Sequence, residues 1–156
     1  MLVLLPVADG MIAQTIQLAL APVFVLVALG NILSTLANRL GRVVDRSREL
    51  QQRHGATQGM EHDLVVREIR TLDRRITLIG SAMRLLVLAG LAIGVTVMLL
   101  FVQEFLGLQL NLPVAGTFIV AIGLLMWALV LFLRETQEAT KALRIPEEYL
   151  EKEREL

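Results

Sequence analysis

The stretch LLVLAGLAIGVTVMLLFV, Leu85 to Val102, decides the fold: it is eighteen residues long and Thr96 is its only polar side chain. A helix that crosses a hydrocarbon core of about 30 Å needs about 20 residues, so this run is read as a span over about 85–105. Working outward, two more runs have the same character. One extends from about Ile12 to Leu36 without a charge, and the other, Val114 to Leu133, has Thr117 as its only polar side chain. In lipid a backbone must satisfy its own polar groups, and a helix is the only open-chain way to do so. No period-two alternation suggests the strands of a β-barrel. The expected fold is therefore all-α, a three-span transmembrane helical protein.

Composition agrees. Apolar residues make up 55% of the 156 residues, a load that a soluble domain of this size has little polar surface to cover. The length suits one domain, read as residues 1–144, followed by a charged tail over 145–156. There are no cysteines, which excludes disulfides and thiolate metal sites. The apolar start, Met1 to Gly10, has no basic n-region and too short an apolar core for a cleavable signal, and reads as an external or interfacial lead-in.

The net charge of zero hides a segregation. Ten arginines lie between the first two spans: Arg39, Arg42, Arg46, Arg48, Arg53, Arg67, Arg70, Arg74, Arg75 and Arg84. The remaining basic residues, Arg134, Lys141, Arg144, Lys152 and Arg154, all follow the third span. Neither the N-terminal lead-in nor the loop from Gln103 to Pro113 carries any. The positive-inside rule then gives a multi-pass protein of the cell membrane with its N-terminus outside and its C-terminus cytoplasmic.

The connection over 37–84 has its own helical pattern. Leu40, Val43, Ser47 and Leu50 on one side, and Val65, Ile69, Leu72, Ile76, Ile79 and Met83 on the other, follow the three-four spacing of a helix–helix seam. His54-Gly-Ala-Thr-Gln-Gly-Met60 between them is a turn signal with two glycines. Glu49–Arg53 and Asp63–Arg67 are favourable i,i+4 pairs. Helices 1 and 2 are expected to leave the membrane together as a cytoplasmic antiparallel hairpin. The third helix should overrun to about Leu143, before Pro146.

The run from Gln17 to Gly30, followed by NRLGRVVDR at Asn38–Arg46, resembles a bacterial membrane family catalogued as "domain of unknown function 2721". Arg74-Arg75-Ile76, and Leu131-Phe-Leu-Arg-Glu135 after the third span, fit the same pattern. The resemblance covers about Ile16 to Leu143. It implies a bacterial inner membrane and adds no activity.

Four features are candidates for function. Gln17, Asn31, Thr35, Asn38 and Arg42, continued by Arg46 and Arg53, fall within an arc of about 80° on helix 1. Such a stripe either lines a water-filled path in an oligomer or joins helices by hydrogen bonds, and Ala21, Phe24 and Ala28 interrupt it in mid-span. Arg39, Arg42, Arg46 and Arg53 lie near the inner leaflet, where they enforce topology and suit contact with anionic lipids. Gly90 and Gly94 on helix 2, with Gly30 and Ser34 on helix 1, are small-xxx-small pairs for close packing, within a protomer or between copies. Pro22 is expected to kink helix 1, as a hinge or a static bend. Trp127 is read as a packing residue, Glu104 as facing water, and His54 and His62 as solvated residues at the hairpin tip.

No G-x-S-x-G, H-E-x-x-H or phosphate loop is present, and no acid or histidine stands deep in a span. No catalytic or metal site, cofactor or small-molecule substrate is expected. Interleaved acids make nucleic acid an unsuitable partner. The expected function is that of a non-enzymatic, homo-oligomeric scaffold or regulator acting through its hairpin. The alternative is a small oligomeric channel lined by helix 1.

Overall fold

The computed structural model describes residues 5–142, with side chains over 13–140. It consists of three long helices: α1 (Leu5–His54), α2 (Met60–Leu106) and α3 (Asn111–Ala142). No strand occurs among the described residues. Each helix is long and apolar enough to cross a membrane, and fewer than a quarter of the residues in each spanning window are buried within the protomer. The tail over 145–156 lies outside the described residues. Helix α1 already includes Leu5 to Gly10, so the expected lead-in is part of the first helix from Leu5 onward.

The hairpin seam is closed as its spacing dictates. Val43, Ser47, Leu50, Val65, Leu72 and Ile79 are buried, with Leu40, Ile69, Ile76 and Met83 packed against them. The same seam continues into the membrane. Thr15, Ala19, Pro22, Leu29 and Leu36 are buried, and Leu26 and Leu33 fill the gaps. Steps of four and three thus repeat without a break from Thr15 to Leu50, the period of a left-handed helix–helix seam. Pro22 lies on this packed face, and α1 runs through it as one helix.

Helix α2 is the middle of the molecule. It packs along both neighbours, whereas α1 and α3 have little backbone contact with each other. Val65, Leu72, Ile79, Leu86 and Ile93, seven residues apart, are its buried ridge, joined by Ala82, Ala89 and Thr96. On α3 the buried positions are Ala121, Ala128 and Glu135, also seven apart. The small alanines let α3 lie close against α2.

Both turns rest on a glycine with a left-handed φ. At the hairpin tip Gly59 has φ 63°, and after α2 Gly107 has φ 63°. There the Leu108 N–H donates to the Gln103 carbonyl at 3.1 Å, and the Gln103 side-chain oxygen accepts the Leu110 N–H at 3.2 Å. The turn between α2 and α3 is therefore short and tied.

Candidate functional site

Where the apolar part of the bundle ends on the hairpin side, all three helices are tied by one carboxylate. Glu135 of α3 is completely buried. Its Oε1 accepts from Arg75 Nε and Nη2 of α2, both at 3.0 Å. Its Oε2 stands 2.8 Å from Arg39 Nη2 of α1, at ion-pair distance but not aligned for a hydrogen bond. Arg39 also lies over the Phe132 ring, 5.2 Å from its centroid, a cation–π contact worth about 0.5–1 kcal/mol. The guanidinium groups keep contact with water, at 22% and 19% exposure, while the carboxylate has none. A lone carboxylate in this position would be costly, and two arginines compensate it.

The layer fixes the relative heights of the helices. Arg84 on α2 lies nine residues beyond Arg75, about 13 Å farther along the bundle at 1.5 Å per residue. Its side chain turns back, with Nη2 donating to Ser81 Oγ at 3.0 Å. That is how an arginine beside an apolar surface keeps its charge near water.

Above this layer, toward the hairpin, is an open cavity of about 450 Å³. Arg39, Arg42, Arg46 and Arg75 line it, together with Glu68, Thr71 and a floor of Val43, Leu72 and Ala139. Arg46 Nε donates to Glu68 across the hairpin at 2.8 Å, and its Nη1 donates to Glu49 at 2.9 Å. The bond to Glu68 first, and then that to Glu49, hold the Arg46 guanidinium above its ordinary pKa, so it stays charged. Arg42 forms no ion pair among the described residues. Arg53 lies outside the cavity and pairs with Glu49 at 2.8 Å, the i,i+4 contact its spacing implies. Asp63 and Arg67 do not form the corresponding pair.

Within the span the polar stripe of α1 faces away from the rest of the protomer, and its last residue, Arg42, borders the cavity. Gln17, Asn31, Thr35, Asn38 and Arg42 are all exposed. The Thr35 hydroxyl donates to the Asn31 carbonyl of its own helix at 3.0 Å. A hydrogen bond between spans stands elsewhere: Thr96 Oγ1 donates to Thr117 Oγ1 at 2.9 Å. Thus the lone hydroxyls of spans two and three find each other.

The small residues divide in the same way. A Cβ on Gly90 would meet Leu26 Cδ2 of α1 at 3.8 Å, an ordinary packing contact. Gly94, Gly30 and Ser34 are exposed, and a Cβ on either glycine meets nothing within 4 Å. Trp127, expected to pack, is 57% exposed and points outward instead. Glu104 is half-buried beside Gln14, Thr15 and Gln103. At the tip, the His54 and His62 rings lie 4.5 Å apart, and no group of three or more potential metal ligands forms among the described residues.

Two residues of the layer, Arg75 and Glu135, had no functional reading from the sequence. The available signal was spacing: Glu135 continues the seven-residue step of Val114, Ala121 and Ala128 on α3. A family described as "Protein of unknown function (DUF2721)" matches residues 19–145. No curated protein and no solved structure matches.

Proposed function

We propose a function for this chain, which belongs to the DUF2721 family: it is a non-enzymatic, homo-oligomeric scaffold or regulator of the cell membrane. Its hairpin stands on the cytoplasmic side, with the N-terminus outside, because every Lys and Arg lies on that side of the spans. The protomers meet along the polar face of α1, and the oligomer displays the hairpins as its working surface.

One observation supports this reading. The α1 stripe has amides at membrane depth, yet Gln17 and Asn31 are exposed and make no side-chain hydrogen bond to α2 or α3 among the described residues. An amide left bare in hydrocarbon costs several kcal/mol, so something other than lipid tails has to cover it. A second copy of the same stripe offers the same donors and acceptors in return, at about 0.6 kcal/mol per interhelical contact.

The channel reading draws on the same exposure, since a stripe on the outer face of the protomer is free to surround a shared axis. Against it, Ala21, Phe24 and Ala28 occupy the middle of the stripe, where a wet path needs polar lining.

Mass measurement of the protein in nanodiscs, with a parallel recording in planar bilayers, separates the readings. The expected result is an oligomer that Asn31→Leu shifts toward smaller species, with helicity unchanged and no currents in either form. A strictly monomeric wild type contradicts the proposal. Unitary currents abolished by Asn31→Leu replace the scaffold with a channel.

A further inference from the structure

The cavity above the Glu135 layer has an excess of positive charge that the protomer leaves uncompensated. The four arginines that line it, Arg39, Arg42, Arg46 and Arg75, stand against Glu68 in the lining, Glu135 behind it and Glu49 on Arg46, four guanidinium groups for three carboxylates, a local surplus of one charge. Within the cavity the surplus is placed rather than diffuse. Glu135, buried and out of contact with water, fixes Arg39 and Arg75 from behind, so their remaining N–H groups are held in position before any ligand arrives. Arg42 adds a guanidinium with no ion-pair partner among the described residues.

From this we propose that the cavity is a binding site for the phosphate group of an anionic ligand, held by Arg39, Arg42 and Arg75. Arginine presents a planar fork of donors that matches tetrahedral oxyanions, and arginines already ordered by a buried carboxylate lose little entropy on binding. The volume of about 450 Å³ lies within the range of small-ligand sites and exceeds the needs of one phosphate alone. The floor of Val43, Leu72 and Ala139 accepts the apolar part of a phosphate ester.

Two sources share this chemistry, a lipid headgroup and a soluble phosphate. The position favours the lipid. The cavity opens where the apolar spans begin, the level at which a bilayer places its headgroups, and its apolar floor adjoins it there. This site does not use the stripe within the span, Gln17 to Asn38; it shares with it only Arg42 and Arg46 at the hairpin end.

The test uses the full chain and two variants: Thr71→Glu, which puts a carboxylate into the cavity from α2, and Arg42→Gln. Arg53→Gln, on the same helix but outside the cavity, is the control. In the lipid arm, native mass spectrometry compares retained phosphatidylglycerol with retained phosphatidylcholine. In the soluble arm, inorganic phosphate is titrated against thermal melting in neutral detergent.

The expected result is selective retention of phosphatidylglycerol. It should fall about fivefold in Arg42→Gln, the factor that one basic residue near an anionic surface supplies. It should fall further in Thr71→Glu and hold in Arg53→Gln. A melting shift with inorganic phosphate, lost in Thr71→Glu and Arg42→Gln, upholds the site and assigns it a soluble ligand. Equal losses in Arg42→Gln and Arg53→Gln overturn the proposal, because unlocalised charge is then enough. So does an absence of any difference between wild type and Thr71→Glu in both arms.

Discussion

Helix α1 has two faces with the same three-four rhythm and opposite contents. One carries Thr15, Ala19, Pro22, Leu29, Leu36, Val43, Ser47 and Leu50 and is closed against α2 over its whole length. The other carries Gln17, Asn31, Thr35 and Asn38, all exposed, and ends at Arg42 beside the cavity. Periodicity alone makes both faces candidates for a helix–helix seam. Outside the membrane, burial of apolar side chains decides between them, because water penalises an exposed leucine. Inside the membrane that driving force is absent, and a polar face is the one that cannot be left against lipid. The first face therefore needs only α2, and the second needs a partner the protomer does not supply.

The closed face is where a substitution should do most damage. Ile79 is completely buried in the seam, and Ile79→Asp places a carboxylate among its apolar side chains. A loss of about 4 kcal/mol is expected, read as a large drop in melting temperature of the purified protein. An unchanged melting temperature would mean that the hairpin is not packed.

Next comes the layer in which Glu135 ties the three helices together. Glu135→Leu leaves Arg39 and Arg75 facing an apolar residue where a carboxylate stood. Because both guanidinium groups keep some contact with water, about 3 kcal/mol is expected rather than more. Chemical denaturation in mild detergent reads it, and a neutral result would show that the three helices are not tied there.

Polar contacts inside the protomer should matter less. Thr96→Val removes the hydroxyl bridge to Thr117 and is expected to cost about 0.6 kcal/mol. Arg46→Gln breaks pairs that water reaches on both sides and should cost about 0.5 kcal/mol in the same denaturation series. A loss from Arg46→Gln greater than that from Thr96→Val would reverse the order expected of an exposed and a buried contact.

The fold was largely legible from the sequence, and the reasons are particular. The hairpin seam stood out because Leu40, Val43 and Leu50 alternate with arginines and acids, so apolar spacing had a polar background. The continuation of that seam through Leu29, Pro22 and Thr15 was hidden, since almost every neighbour in the span is apolar too. Glu135 was missed for the same reason. Its ridge runs through Ala121 and Ala128, which look like any other residues of an apolar span, and its partners are distant in sequence. The polar stripe was visible on a helical wheel, but a wheel shows which residues share a face and not what that face meets. Trp127 was misjudged because large apolar residues in a span are welcome on the lipid side as well as in the core.

Covalent capture between copies tests the central claim, that the polar face of α1 closes against another copy, most directly. The chain has no cysteine, so single replacements along α1 report without interference. Phe24→Cys, Ala28→Cys, Asn31→Cys, Thr35→Cys and Asn38→Cys should form disulfide-linked dimers in membranes. Val23→Cys, Gly30→Cys, Ser34→Cys and Ala37→Cys, also exposed on α1 but turned away from the stripe, should link far less. Uniform linking along the helix, or a maximum on the Gly30–Ser34 side, would contradict the account.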